Sequence, residues 1–217
     1  MRLDSADIEA MDKRPRAALV NTLSGFKSAN LVGTADRDGN TNLAIMSSCV
    51  HLGSHPPLLA LIIRPGMRER HTLSNILTQR FYTINHVNES IIERAHQTAA
   101  RYPADISEFE ATGLNPYWAA DFKAPFVAEA VIRMGMELRE YQTLEINQTH
   151  LVIGEIKMLD MPDDAMRDDG SVDLQAAGTI ALSGLDGYHL TQLYKRMAYA
   201  KPDLPPRTID IENGEDT

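Results

Sequence analysis

TNLAIMSSCVHLGSHPPLLALIIRP, Thr41–Pro65, begins and ends as an apolar strand should, and its middle does not. Ser47, Ser48 and Cys49 interrupt the first run, and His51, Gly53, Ser54 and His55 follow before PPLLALIIR resumes. A strand that ends at Ser47 frees backbone groups where its ladder stops, and small side chains let a planar ring approach them. The competing reading is an edge-strand turn whose hydroxyls are satisfied locally. PPLLALIIR itself is short, continuous and rich in branched residues, which predicts a strand buried on both faces.

Upstream, NLVGTADRDGNTNLAIMS reads as two strands joined at Asp36–Asn40, because Asp-Gly adopts the positive φ angles of a tight hairpin. Asp4–Phe26 carries apolar residues at helical spacing, with Pro15 restarting the pattern in one or two short helices. Downstream, HTLSNILTQ places Leu73, Ile76 and Leu77 on one helical face, and FYTINHV alternates as a strand. NESIIERAHQTAARYP is expected as a helix started by Asn88 or a Ser90/Glu93 capping box and ended by Pro103. A short helix in ISEFEATG stops at Gly113, and FVAEAVIRMGMELREYQTLEI and THLVIGEIKMLDM are expected as long paired strands. LTQLYKRMAYA is read as a helix and DIENGEDT as a disordered polar tail. His51 and His55 are placed in a Gly-containing loop.

The chain has 217 residues, 43% hydrophobic and 24% charged, the composition of a globular protein. One domain over 1–205 with a tail over 206–217 is the expected organisation. With 21 basic against 30 acidic residues the net charge is -9, which argues against nucleic acid and anionic membrane as partners. A single cysteine excludes an internal disulfide, the N-terminus lacks the apolar core of a signal peptide, and no run reaches transmembrane length. The expectation is a cytoplasmic protein.

Phosphate-loop, GxGxxG, HExxH and GxSxG patterns are all missing, so neither a Rossmann site, a metal centre nor covalent serine catalysis is expected. Cys49 is read as a small buried hydrophobe rather than a nucleophile. Arg64, Arg68 and Arg70 precede a helix beginning near His71 or Thr72; its free N–H groups, the Thr72 hydroxyl and the guanidiniums could hold one phosphate, or Thr72 could be a simple N-cap beside a solvated patch.

The order of these residues resembles the flavin reductase-like proteins with an FMN-binding split barrel. TADRDGNTNLAIMSSCVHLGSHPPLLALII is similar to that family's hairpin, Asn-x-Ala-x-x-Ser segment and Pro-Pro-containing strand. RHTLSNILTQRFYTINHV, SEFEATGL, FKAPFVAEA and SGLDGYHLTQLYKRMAYAKP continue the likeness. The resemblance implies a mainly β fold with peripheral helices, a six-stranded split β-barrel, a homodimer and one FMN per subunit near the dimer interface. It places Met46, Ser47, Ser48 and Cys49 along the flavin ring and ribityl chain, and Arg64, Arg70 and Thr72 near the phosphate. Asn42 and Ala44 lead into the site, while Tyr188, Tyr199 and Lys201 match a C-terminal stretch that approaches the flavin or the partner subunit. Where many relatives carry Pro-Arg-Pro, this chain has Lys27, Ser28, Ala29 and Asn30, and Ser48 stands where an aromatic often follows the first serine. The implied activity is hydride transfer from NADH or NADPH to flavin and onward to an acceptor, with an electron carrier or a flavin-free binding module as alternatives. Catalytic residues are not assigned, since flavin itself supplies the redox chemistry.

Overall fold

The computed structural model describes residues 1–66, 71–103 and 105–211. Two N-terminal helices, α1 (Ser5–Ala10) and α2 (Lys13–Leu23), precede strands β1 (Lys27–Ser28), β2 (Asn30–Ala35), β3 (Thr41–Met46), β4 (Cys49–Ser54) and β5 (Pro57–Ile63). Helix α3 (His71–Gln79) leads to β6 (Phe81–His86), and a short helical excursion holds α4 (Ile92–Gln97) and α5 (Glu108–Thr112). Then come β7 (Pro116–Tyr117), β8 (Phe126–Val127), the long hairpin β9 (Arg133–Thr143) and β10 (His150–Asp160), and finally β11 (Ile180–Ser183), β12 (Gly187–Leu190), β13 (Arg196–Met197) and β14 (Thr208–Ile209).

Seven strands form one antiparallel sheet in the order β3-β2-β6-β9-β10-β5-β4. Its two edges, β3 and β4, are consecutive in the chain and joined only by Ser47 and Ser48. Three Cα–Cα steps reach at most about 11 Å. Laid flat, seven strands would put the edges about 29 Å apart. The sheet must therefore curl until its edges meet, and because β3 and β4 do not pair, the result is a barrel split along that seam. Near the seam the Ile62 amide donates to the Ser48 carbonyl at 3.0 Å.

The alternation of each strand divides the core in two. Val32, Leu61, Tyr82, Ile84, Met136 and Val152 fill the barrel interior. Leu31, Leu43, Val87, Ile91, Phe109 and Leu182 pack outside it, under the helical excursion and β11. A third group, Phe81, Phe122 and Phe126, covers the outer face of β6 and β9; a Cβ on Gly135 would stand 2.7 Å from the Phe122 ring, so this face needs glycine there.

The expected hairpin is present, with the Asp36 carboxylate accepting from the amides of Asp38 and Asn40 and from the Asn40 side chain. Strand count departs from the six expected. The stretch read as a loop around His51 is β4, paired with β5 across a bulge between His51 and Gly53, and its edge position explains why polar and apolar residues mix there. Nor is β5 buried on both faces, since Ile62 is exposed. On α3, Leu73 and Ile76 are buried with Thr72 and Asn75, while Leu77 turns outward.

The helix expected from Asn88 to Pro103 is shorter. Asn88 does start it, its side chain accepting from the Ser90 amide, but α4 ends at Gln97. Thr98 is needed elsewhere: its hydroxyl donates to the Ala95 carbonyl and accepts the amide of Ile45 on β3. The helix expected over LTQLYKRMAYA is absent. Leu193, Tyr194, Met197 and Tyr199 are exposed, so no packed apolar face supports a helix of that length, and Arg196 is drawn instead to Asp169 and the Ile211 carbonyl. Thr208 and Ile209, inside the stretch expected as a tail, pair with Met197 and Arg196; residues 212–217 lie outside the described residues.

In the barrel interior the Tyr82 hydroxyl is fully buried without a hydrogen-bond partner among the described residues and sits where a Cβ on Gly154 would be. Tyr82→Phe removes a desolvated hydroxyl that gives nothing back, so denaturant unfolding should show a gain of about 1 kcal/mol. Gly154→Ala should destabilise the barrel, and less so in the Tyr82→Phe background; equal costs in both backgrounds would contradict this packing.

Candidate functional site

As the sheet's free edge on one side, β3 pairs with β2 through Asn42, Ala44 and Met46, which leaves the amides of Leu43 and Ile45 pointing away from the sheet. The excursion supplies their acceptors: the Leu43 amide donates to Glu108 Oε2 at 2.9 Å and the Ile45 amide to Thr98 Oγ1 at 2.9 Å. Thr41 and Ser107 add a hydroxyl pair at 2.7 Å. The next amide in the same alternation belongs to Ser47, and among the described residues it has no acceptor. A strand edge that is capped twice and then open is an edge that can receive a ligand's acceptor atom at its third position.

Ser47 also lines a cavity of about 150 Å³ with Ile45, Arg64, Ala99, Leu182 and Leu185. Arg64 is exposed and forms no ion pair among the described residues, so its guanidinium is available to an anion. Apolar walls from three separate parts of the chain and two polar groups, one hydroxyl and one cation, suit a ligand that is largely ring with a few polar atoms.

Asn42 and Thr72 come together at 2.8 Å, the Asn42 amide donating to the Thr72 hydroxyl on the first turn of α3. That pair lies about 13 Å from Met46, four residues along β3. The expected site residues thus fall into two groups at the two ends of one strand. Met46 and Cys49 turn into the barrel core, and burial pushes the Cys49 thiol up to about 11, so it stays protonated. Ser48 is engaged through its carbonyl with Ile62. Arg70, with Arg68, lies outside the described residues.

At the C-terminal end, Tyr188 is the cross-strand partner of Leu182 and bonds His96 Nδ1 at 2.9 Å. Tyr199 and Lys201 lie in the exposed connection between β13 and β14 and do not line the cavity of this chain. Thr98, Ala99, Glu108, Leu182 and Leu185 were not anticipated. No local pattern marks them: Glu108 and Thr98 reach β3 across 65 and 53 residues of sequence.

The family described as Flavin reductase like domain matches residues 23–177. An uncharacterized protein of Aquifex aeolicus is 28% identical over 134 residues, covering 61% of this chain and 67% of that one. Among solved structures, a split barrel protein of Shewanella frigidimarina assigned as a flavin reductase is 54% identical, with a TM-score of 0.89 over 92% of this chain and 100% of that chain. Nitrilotriacetate monooxygenase component B from Bacillus cereus shares the fold at 20% identity, with a TM-score of 0.79 over 90% of this chain and 98% of that chain.

Thr98→Val keeps the shape of the threonine but removes the acceptor for the Ile45 amide. Thermal or denaturant unfolding should register a loss of about 1–3 kcal/mol, the cost of a half-buried donor left unmade. An unchanged unfolding midpoint would mean that Thr98 does not hold the β3 edge.

Proposed function

This chain belongs to the Flavin reductase like domain family, and on that premise we propose that it is an FMN-dependent oxidoreductase that takes hydride from NADH or NADPH and passes electrons to a small acceptor. The observation that carries the reading is the Ser47 amide, without an acceptor among the described residues at the end of a capped edge, with Ser47 and Arg64 lining one cavity.

FMN is an elongated ligand, apolar and planar at one end and doubly anionic at the other. Two polar groups of residues at opposite ends of β3 fit such a shape. In the proposed arrangement the ring lies over the β3–β4 seam with Ser47, Ser48 and Arg64, and the phosphate is held at the other end of β3 by Thr72 and Arg70, with Asn42 fixing the Thr72 hydroxyl. Bound flavin would supply hydride acceptance and donation; the protein orients it and limits water at the ring. No base is required of Cys49, whose buried thiol is poorly suited to the role.

The homodimer is part of the same proposal. Val50 pairs with Ala60 and Ala60 with Ile153, while Ile62 pairs with Leu151, so these five residues share the outer face of β4, β5 and β10. Val50 and Ile62 are exposed there, beside the unpaired edge of β4. An apolar face at an open strand edge, next to the proposed flavin site, is a surface a second copy would cover.

Two measurements test these points. Thr72→Ala should weaken FMN binding by about 1–3 kcal/mol in a fluorescence titration. Riboflavin binding should change less; an equal loss for both ligands would place the phosphate elsewhere. In sedimentation analysis the native protein should run at twice the chain mass and the Val50→Lys/Ile62→Lys variant at the chain mass, and an unchanged dimer would move the interface off this face.

A further inference from the structure

The cavity beside Ser47 measures about 150 Å³, whereas pockets that enclose organic ligands of flavin's size start at roughly 300 Å³. A ring can enter only if a wall moves. Ile45 sits on β3, whose edge is fixed by Thr98 and Glu108, and Leu182 is buried on β11, the middle strand of the β1-β11-β12 sheet. Neither yields without unpairing a strand. Ser47 and Ala99 are too small to clear space by turning, and Arg64 is the polar contact the ring needs in place. Leu185 differs from all of these: it stands in the turn between Ser183 and Gly187, bulky, apolar and 49% exposed, with cavity on one side and solvent on the other. It also lies beyond residues 23–177, so this wall is supplied by the C-terminal part of the chain.

We propose that Leu185 controls entry of the flavin ring: its side chain occupies part of the ring's place in the flavin-free protein, turns toward solvent to admit the ring, and then packs against it. The inference rests on the flavin reading above. The backbone beneath Leu185 is braced, so the movement belongs to the side chain. Gly184 takes a φ of +60°, and a Cβ there would stand 3.2 Å from Thr22 Oγ1 at the end of α2. Ser183 Oγ and His189 Nε2 meet at 2.8 Å across the base of the turn, and the His189 ring packs edge to face against Phe26 at 4.8 Å between centroids. A half-exposed leucine on a fixed turn changes rotamer without disturbing its neighbours. While it covers the cavity, only the fraction of molecules with the side chain turned out can bind, and the apparent affinity falls by that fraction.

The test is stopped-flow mixing of the flavin-free full-length protein with FMN and with riboflavin, followed by flavin fluorescence, which separates association from dissociation. Leu185→Ala should raise the association rate constant about 10-fold, the inverse of an open population near a tenth. Leu185→Phe should lower it. Both effects should be the same for FMN and riboflavin, which share the ring and differ in the phosphate. Dissociation should also quicken in Leu185→Ala, because the bound ring loses its cover. Association rates unchanged in both variants, with dissociation alone altered, would make Leu185 a fixed contact and overturn the proposal while leaving the flavin reading intact. A change confined to FMN would overturn it as well, since ring entry is common to both ligands. A native protein that binds neither flavin would overturn the flavin reading and this inference together.

Discussion

Two residues, Ser47 and Ser48, tie together the opposite edges of a seven-stranded sheet, and most of the architecture follows from that short tether. A flat sheet cannot satisfy it, so the strands curl around Val32, Leu61, Tyr82 and Val152, and the seam between β3 and β4 stays open. The small polar residues that interrupt an otherwise apolar run thus mark the place where the two sheet edges are tethered, and Ser47 among them lines the candidate site.

An open seam leaves unpaired backbone groups, and the chain manages them unevenly. Glu108 and Thr98 use side chains to do what a neighbouring strand would do, capping Leu43 and Ile45 and holding the helical excursion against β3. The capping stops one step short of Ser47. The same excursion brings Ala99 to the cavity wall, so the device that protects the edge also helps to enclose the site. On the other side of the seam, β4 keeps a free edge beside Val50 and Ile62.

What was legible in the sequence is what local chemistry decides. The Asp36–Asn40 turn, the β9–β10 pair and the Gly113 stop, with φ of +69°, each carry their cause within a few residues. β4 was not legible because an edge strand with a bulge mixes polar and apolar residues as a loop does. The C-terminal stretch misled for the opposite reason: its spacing suits a helix, but Tyr194 and Tyr199 have no core to face and Arg196 is drawn to Asp169. Within the candidate site, Ser47, Arg64, Asn42 and Thr72 could be named in advance. Their division between two ends of β3, the inward turn of Met46 and Cys49, and the walls from Ala99 and Leu182 depend on contacts far apart in the chain, which no local pattern encodes.

The central claim is that the Ser47 amide is left open for a flavin. The most direct measurement is the backbone amide spectrum of isotope-labelled protein as FMN is added. The account predicts that the Ser47 amide shifts strongly and gains protection from solvent exchange, while the Leu43 and Ile45 amides, already held by Glu108 and Thr98, move little. A Ser47 amide that neither shifts nor gains protection at saturating FMN would contradict it.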